Sequence, residues 1–205
     1  MNANCERCLK PQRLCVCEFL PQIETSTRVL ILQHPQEPDV ELGTAKIAAL
    51  SLVQAKLAIG LSWPNLKKAW GAEVNPKDWL VLHLGSIRLP QNISDVLVCV
   101  SAKGHPLEDS KKRLSACTGL VVLDGTWSQA KTLWWRNAWL TKLQRAVLNP
   151  SRPSLYGKLR REPKRQGLST LESIGLSLAA LEGRPEINEQ LLVPFKELLS
   201  RKRRG

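Results

Sequence analysis

Residues Leu120–Trp135 read LVVLDGTWSQAKTLWW. Four apolar residues come first, an aspartate and a glycine follow, and the remainder has the character of a helix. Short continuous apolar runs are typical of strands in a parallel sheet that is buried on both faces. Asp124 is then the first polar residue beyond the strand, at the edge where open α/β sheets bind ligands. The stretch predicts an α/β fold and makes Asp124 a candidate functional residue.

Apolar runs and helix-like segments alternate along the rest of the chain. Further strands are predicted at Thr27–Gln33, Trp79–Leu84, Val96–Val100 and Arg145–Leu148. Helices are predicted from periodic apolar residues at Thr44–Ile59, Leu107–Ala116, Trp127–Leu140, Ser169–Leu181 and Ile187–Leu199. This alternation predicts the fold class α/β, with a mostly parallel sheet and helices on both faces.

The charge of the chain indicates the kind of partner it binds. Its 205 residues include 30 Lys and Arg against 18 Asp and Glu, which gives a net charge of +12 and an isoelectric point near 9.8. Such a balance predicts a polyanionic partner, most simply nucleic acid. Purely structural RNA-binding proteins share this property, so charge alone does not separate an enzyme from a binding protein.

The amino-terminal residues do not have the pattern of a secretory signal, because no apolar segment follows a basic start. No run of eighteen apolar residues occurs either, which predicts that nothing spans a membrane. We therefore expect a cytoplasmic protein. In that compartment cysteines are reduced thiols or metal ligands rather than disulfides.

Four of the six cysteines, Cys5, Cys8, Cys15 and Cys17, fall within thirteen residues. Two closely spaced pairs can direct four sulfurs at one point, and a tetrahedral thiolate site favours zinc. Four protein ligands leave no open position, so the predicted role of the zinc is structural. The alternative is two disulfides or unrelated buried thiols. The predicted organisation is a zinc knuckle at 1–24, a main domain at 25–200 and a basic tail at 201–205.

The polar residues at two predicted helix starts can also be explained by helix capping alone. Thr126 with Gln129, and Ser169 with Glu172, have the spacing of capping boxes. On this local pattern Asp124 and Thr126 only begin a helix, and the tryptophans after them only pack it. Helix starts also attract anions, so both interpretations remain open.

Residues 149–167 read NPSRPSLYGKLRREPKRQG, which is too basic and too rich in proline for a core element. We expect a loop that contacts RNA phosphates, since Lys and Arg contribute affinity and salt dependence. The candidate RNA-binding residues are Arg152, Lys158, Arg160, Arg161, Lys164 and Arg165. The basic tail Arg201–Arg204 is a further candidate, with a solvated, disordered end as the alternative.

Four motifs, taken together, resemble one family. They are CERCLKPQRLCVC at Cys5–Cys17, ILQHPQE at Ile31–Glu37 followed by Gly43–Ala45, DGTW at Asp124–Trp127, and REPKRQGLSTLE at Arg161–Glu172. In this order they resemble the DTW-domain family, the tRNA-uridine aminocarboxypropyltransferases, along almost the full length of the chain. The resemblance implies a SPOUT-like α/β fold with a knotted carboxyl-terminal part.

The resemblance also implies a reaction. Members of that family are described as moving the 3-amino-3-carboxypropyl group of S-adenosylmethionine to N3 of a tRNA uridine, in bacterial relatives variable-loop nucleotide 47, with release of methylthioadenosine. S-adenosylmethionine would then be the co-substrate, zinc a structural metal and tRNA the partner. Two alternatives remain: a SPOUT-like RNA methyltransferase, and a non-catalytic zinc-bearing RNA-binding or assembly factor.

The residues that match the motifs receive expected roles. Asp124 is expected to act as the general base that takes the uridine N3 proton. The motif residues expected to bind the co-substrate are Thr126, Trp127, Ser169, Thr170 and Glu172, and those expected to line the site are His34, Thr44 and Gly125. Gly85 and Ser86 are expected to bind the co-substrate because they follow the predicted strand Trp79–Leu84, and not because of a motif. Core packing is the alternative for Trp127, capping for Glu172 and a structural role for His34.

Overall fold

The computed structural model describes residues 4–37, 41–82, 87, 89–159 and 167–204. Within these residues six strands form one sheet: β1 (Arg28–Gln33), β2 (Ala55–Ile59), β3 (Trp79–Leu82), β4 (Leu97–Val100), β5 (Gly119–Asp124) and β6 (Gln144–Leu148). The strand order is β2-β1-β5-β3-β6-β4. All neighbours are parallel except β4 and β6, which are antiparallel. The prediction of a mostly parallel sheet is confirmed.

Helices cover both faces of this sheet. The helices are α1 (Ala45–Ser51), α2 (Leu66–Trp70), α3 (Ser110–Ser115), α4 (Trp127–Arg136), α5 (Thr170–Glu182) and α6 (Pro185–Arg204). Helices α1, α5 and α6 pack on one face of the sheet, and α2 and α4 pack on the other. Short 3₁₀ turns lie at Gln12–Leu14, Cys17–Phe19, Pro76–Asp78, Ala138–Lys142 and Gly157–Leu159.

Strand β5 lies in the middle of the sheet between β1 and β3. Alternate side chains of a strand point to opposite faces, so Leu120 and Val122 join the core under α1, α5 and α6, whereas Val121 joins the core under α2 and α4. All three are buried. A strand with a core on each side has no solvent-facing position, which explains why its sequence is continuously apolar.

The predicted helix Thr44–Ile59 is wrong in its second half. Helix α1 ends at Ser51, Leu52 is extended, and Ala55–Ile59 forms the edge strand β2. The small apolar residues of this segment fit a helical period as well as a strand. The segment pairs in parallel with β1, beginning with Val29 opposite Ala55. This pairing satisfies the backbone hydrogen bonds, so the segment forms a strand and not a helix.

Two other helices are shorter than predicted. Helix α4 ends at Arg136 because the next residue, Asn137, leaves the helical region (φ −121°, ψ 68°), and its amide donates to the Leu133 and Leu61 carbonyls. The chain then forms the 3₁₀ turn Ala138–Lys142. Helix α3 covers only Ser110–Ser115 of the predicted range 107–116.

The carboxyl-terminal helix α6 extends to Arg204 and so includes the basic residues Arg201–Arg204. The Arg201 guanidinium pairs with Glu18 at 2.5 Å and with Glu197 at 2.8 Å. The tail therefore lies on a helix, and Arg201 connects it to the cysteine-rich segment. None of the helices in the described part of the chain has the length and apolar character needed to cross a membrane.

We expect Gly119→Ala to destabilise the centre of the sheet. A Cβ at Gly119 would lie closer than 3.0 Å to the ring of the fully buried Trp79. Overpacking of this kind costs about 3 kcal/mol in the free energy of unfolding, equivalent to a fall of roughly 6–12 °C in the melting temperature. Circular dichroism during heating measures the change.

Trp79→Phe supplies the control in the Gly119→Ala background. The smaller ring makes room for the new methyl group, and it removes an indole N–H that has no hydrogen-bond acceptor among the described residues. The double variant should therefore be more stable than the sum of the two single changes predicts. Strict additivity would show that the two positions are not in contact.

Candidate functional site

Asp124 is held at the carboxyl edge of the sheet by two side chains. Its Oδ2 accepts a hydrogen bond of 2.7 Å from Gln33 Nε2, and its Oδ1 accepts one from the Thr170 hydroxyl. Gln33 is its register partner at the end of β1, and Thr170 is the first residue of α5. The Asp124 side chain is only 6% exposed. A buried carboxylate without such donors would be strongly destabilising, so these bonds explain its position.

Gly125 allows the chain to turn directly after β5. Its φ is +148°, a conformation that residues with a side chain rarely adopt. A Cβ there would lie 2.9 Å from the Gln129 side chain and 3.4 Å from that of His34. The His34 backbone N–H donates to the Asp124 carbonyl at 3.0 Å. His34 and Gly125 therefore lie side by side at the same edge as Asp124.

Both predicted capping boxes are confirmed. The Thr126 N–H donates to Gln129 Oε1 at 2.7 Å, and the Gln129 N–H donates to the Thr126 hydroxyl at 3.4 Å. At the start of α5 the Ser169 N–H donates to Glu172 Oε2 at 2.7 Å, and the Glu172 N–H donates to Ser169 Oγ at 3.1 Å. Two helices thus begin beside Asp124, and their N-terminal dipoles favour an anionic group there.

Glu172 has a second structural function besides capping. Its carboxylate also accepts hydrogen bonds from Ser154 Oγ at 2.6 Å and from the Leu155 N–H at 2.7 Å. These bonds hold the first half of the basic loop against α5. Ser169 is fully buried and Glu172 is 5% exposed. Both residues therefore fix the shape of this edge from within.

Thr44 links α1 to the same edge. Its hydroxyl caps no N–H of α1 and instead accepts a hydrogen bond of 3.1 Å from the Leu171 N–H of α5. Thr44 is 2% exposed. Trp127, the first residue of α4, is half-buried, and Thr126 is exposed. The structure thus brings the motifs around Thr44, Asp124 and Thr170 together, although they are far apart in sequence.

The four clustered cysteines form a site that fits a metal ion. Their sulfur atoms all lie within 4.8 Å of one another, with Cys5 and Cys17 at 3.7 Å and Cys8 and Cys15 at 3.8 Å. Zn–S bonds of about 2.3 Å in a tetrahedron require sulfur separations of about 3.8 Å. All six cysteines of the chain are described and are free thiols. The geometry therefore fits a zinc site and does not fit disulfides.

The thiols of this cluster differ in their tendency to ionise. Hydrogen bonds from the backbone N–H groups of Cys8 and Arg7 lower the pKa of Cys5 to about 6. Burial raises the pKa of Cys15 and that of Cys17. A bound cation would favour the thiolate form of all of them, so metal binding releases protons and depends on pH.

Lys10 is a buried charged residue next to the cysteine cluster, and its role was not predicted from the sequence. It is 5% exposed, and its ammonium group donates to the Glu41 carbonyl at 2.7 Å. Burial lowers the pKa of Lys10 to about 8, against the opposing charges of Cys8, Glu41 and Asp124. In the sequence, Lys10 could be recognised by its position between the two cysteine pairs, in CLKPQRLC.

The cysteine-rich segment is attached to α6 and to the main core. The Glu41 carboxylate pairs with Arg13 and with Lys202, each at 2.5 Å. Leu14 and Val16 are fully buried in the core formed with α1, α5 and α6. The segment is therefore packed into the main domain on the same face of the sheet as α5.

Gln33 is the other residue that the sequence analysis missed. It is the polar end of an otherwise apolar strand, directly before His34, and that break in the pattern is its signal. Several predicted residues lie outside the described part of the chain: Gly85, Ser86, Arg160, Arg161, Lys164, Arg165 and the side chain of Lys158. Arg152 is described and is exposed.

We expect the Cys8→Ser variant to lose zinc and stability. Removing one of four ligands opens the tetrahedral site, and structural zinc sites contribute directly to folding. Elemental analysis should find about one zinc per chain in the wild type and much less in the variant, with a lower melting temperature. Cys117→Ser is the matched control, because Cys117 lies outside the cluster and donates to the Gly119 carbonyl at 3.2 Å. A zinc-free wild type with four titratable thiols would contradict the metal site.

The chain is similar to several named proteins. tRNA-uridine aminocarboxypropyltransferase 2 of Macaca fascicularis is 32% identical over 203 residues, which cover 96% of this chain and 62% of the relative. The protein of the same name from Drosophila melanogaster is 32% identical over 198 residues, which cover 95% of this chain and 72% of the relative. tRNA-uridine aminocarboxypropyltransferase A of Arabidopsis thaliana is 25% identical over 212 residues, which cover 95% of this chain and 79% of the relative.

The chain thus spans less than two thirds of the length of the macaque relative. No solved structure matches it. The family model named DTW domain matches residues 2–203, which include the cysteine cluster, the Asp124 edge and the described helices except the last residue of α6. The chain therefore belongs to the DTW-domain family.

Proposed function

We propose that the protein is a tRNA-uridine aminocarboxypropyltransferase. It would transfer the 3-amino-3-carboxypropyl group of S-adenosylmethionine to N3 of a tRNA uridine, with nucleotide 47 of the variable loop as the proposed position. The names of its relatives support this proposal. The structural observation that carries it is the oriented Asp124 carboxylate, at the edge where β1, β5 and the starts of α4 and α5 meet.

Asp124 is suited to accept a proton. Each carboxylate oxygen has two lone pairs, and each accepts one hydrogen bond, from Gln33 or from Thr170. Counting donors from the described residues, one acceptor position therefore remains on each oxygen. A uridine N3–H in hydrogen-bond contact with either oxygen would lose its proton to Asp124 as the new N3–carbon bond forms.

The rest of the edge would select which bond breaks. S-adenosylmethionine supplies three electrophilic carbons next to a sulfonium, so the enzyme must align the γ-carbon of the methionine arm with the nucleophile. The first turns of α4 and α5 favour the carboxylate of that arm. Trp127 would form a wall beside it. N3 then bonds to the γ-carbon, and the electron pair of the broken carbon–sulfur bond leaves with methylthioadenosine.

Contacts to tRNA phosphates are proposed for the basic loop, whose first half is held by Glu172 through Ser154 and Leu155. Lys and Arg contacts of this kind set the register of the RNA but do not choose the base. The SPOUT-like, knotted chain path that the resemblance implies belongs to the same proposal. A crystal structure that traces residues 83–88 and 160–166 tests it directly.

Mass spectrometry of nucleosides tests the proposed reaction. The purified protein is incubated with tRNA and S-adenosylmethionine, and the tRNA is digested. The proposal requires a uridine that has gained the aminocarboxypropyl group, together with methylthioadenosine. A methyl gain with S-adenosylhomocysteine would identify a methyltransferase instead. Absence of any product, with no binding of S-adenosylmethionine in calorimetry, would leave a non-catalytic RNA-binding protein.

We expect Asp124→Asn to abolish most of the activity and to preserve the fold. The amide oxygen still accepts from Gln33, and the amide nitrogen can donate to the Thr170 hydroxyl, so both contacts survive. The proton acceptor is lost, which lowers kcat by about 10²- to 10⁴-fold. Asp109→Asn is the control, because Asp109 is an exposed aspartate on another element, paired with Arg113 at 2.7 Å. Near-normal turnover by a folded Asp124→Asn enzyme would refute the role of Asp124.

A further inference from the structure

The charged residues of the segment that follows Asp124 are all positive. From Gly125 to Arg161 the sequence contains no acidic residue. Over the same range it contains eight basic residues, which are Lys131, Arg136, Lys142, Arg145, Arg152, Lys158, Arg160 and Arg161. A segment of this charge that begins at the candidate base is a natural contact surface for a polyanion. Only part of it is the basic loop. The other part is α4 and the turn that follows.

Trp135 on α4 is 78% exposed, more than any other large hydrophobic side chain in the described part of the chain. The other two tryptophans of this segment have different environments. Trp139 is buried, and Trp134 is half-buried with the Arg145 guanidinium 5.1 Å from its ring centre. Core packing, the local alternative for these tryptophans, therefore does not explain Trp135. An exposed indole ring offers a flat face on which a planar group can stack.

The exposed face of α4 connects Trp135 to the candidate active site. Lys131 and Trp135 are four residues apart, and Trp127 lies four residues before Lys131, so the three side chains follow one another on one face. At 1.5 Å per residue, Trp135 is about 12 Å along the helix from Trp127. Lys131 and Arg136 are both exposed. This face thus presents an aromatic ring next to the cation Lys131, and Arg136 follows Trp135 at the exposed end of the helix.

A basic cleft lies beyond the end of this face. It has a volume of about 270 Å³, and its lining includes Lys142 and Arg145. Both residues follow α4 directly, in the 3₁₀ turn and in β6. Basic residues therefore continue along the chain beyond α4, in a cleft whose lining also includes Arg113.

We propose that the exposed face of α4 binds the RNA strand next to the modified uridine. Trp135 stacks on an unpaired nucleobase, while Lys131 and Arg136 contact the phosphates on either side of it. Stacking on aromatic side chains is a general means of binding single-stranded RNA, and it tolerates any base. A protein partner fits less well, because lysine is depleted at protein interfaces, whereas an excess of positive charge favours a polyanion. The inference rests on the proposed function, which makes tRNA the substrate.

The test measures the affinity for tRNA in the absence of S-adenosylmethionine, by fluorescence anisotropy of labelled tRNA. Trp135→Ala should weaken binding about 10-fold, whereas Trp135→Phe, which keeps an aromatic ring, should stay within about 3-fold of the wild type. Lys131→Gln should reduce the slope of log K against log salt by about 0.7–0.9. Val53→Ala is the control, because Val53 is 51% exposed but lies in the turn before β2, away from α4. It should bind as the wild type does.

The outcomes separate this inference from the proposed function. Wild-type protein that binds no tRNA would overturn both. Wild-type protein that binds and modifies tRNA, with a folded Trp135→Ala variant that binds equally well, would overturn the role of α4 alone. Light scattering identifies a further contradicting result, a dimer that Trp135→Ala dissociates while tRNA affinity is unchanged. In the modification assay the same variant should raise KM for tRNA more than it lowers kcat.

Discussion

The hydrogen bonds to the Asp124 carboxylate join three elements that are distant in sequence. Gln33 comes from β1 and Thr170 from α5, while Asp124 itself ends β5. The Gln33 contact depends on the parallel register of β1 and β5, in which the two residues lie opposite each other. A shift of one residue would turn one of the two side chains to the other face of the sheet. The buried cores on both faces fix that register, and the position of the carboxylate follows from it.

The cysteine-rich segment also packs on the core that supports Asp124. Leu14 and Val16 are part of the core under α5, and Lys10 brings a buried positive charge towards Asp124. Glu41 joins the segment to the end of α6 through Lys202. A bound metal would therefore stabilise the position of Lys10 as well as the segment itself. Zinc held by the four cysteines would thus lie close to a buried charge of the candidate site, although it would have no open position for chemistry.

The sequence predicts the central part of this fold well and its edges less well. Strands β1 and β5 are buried on both faces, so their apolar runs are unambiguous, and the two capping boxes follow local rules that tertiary contacts do not override. Strand β2 is only partly buried at the edge of the sheet, and its small residues fit a helical period equally well. Pairing with a distant strand decided its conformation, and periodicity does not contain that information.

The residues of the candidate site also differ in how well the sequence predicts them. Asp124 is predictable because a strand ends in a carboxylate before a glycine. Gln33 and Lys10 acquire their importance only from where the fold places them: Gln33 from the register with Asp124, and Lys10 from burial beside the cysteines. The local signals, a polar end of an apolar strand for Gln33 and the flanking cysteines for Lys10, do not reveal these contacts. Side chains that act through contacts between distant segments are those that a single sequence indicates least.

Two segments that are rich in basic residues are connected to the Asp124 edge through a helix start. The loop after β6 is tied to the capping residue Glu172 of α5, and the Tyr156 hydroxyl within it donates to the Leu42 carbonyl at 2.7 Å. The exposed face of α4 begins at the capping residue Thr126. The capping boxes that offered a purely local explanation therefore also set the direction of each surface. Their structural and functional interpretations are compatible, because the bonds that begin each helix also position what would contact the RNA.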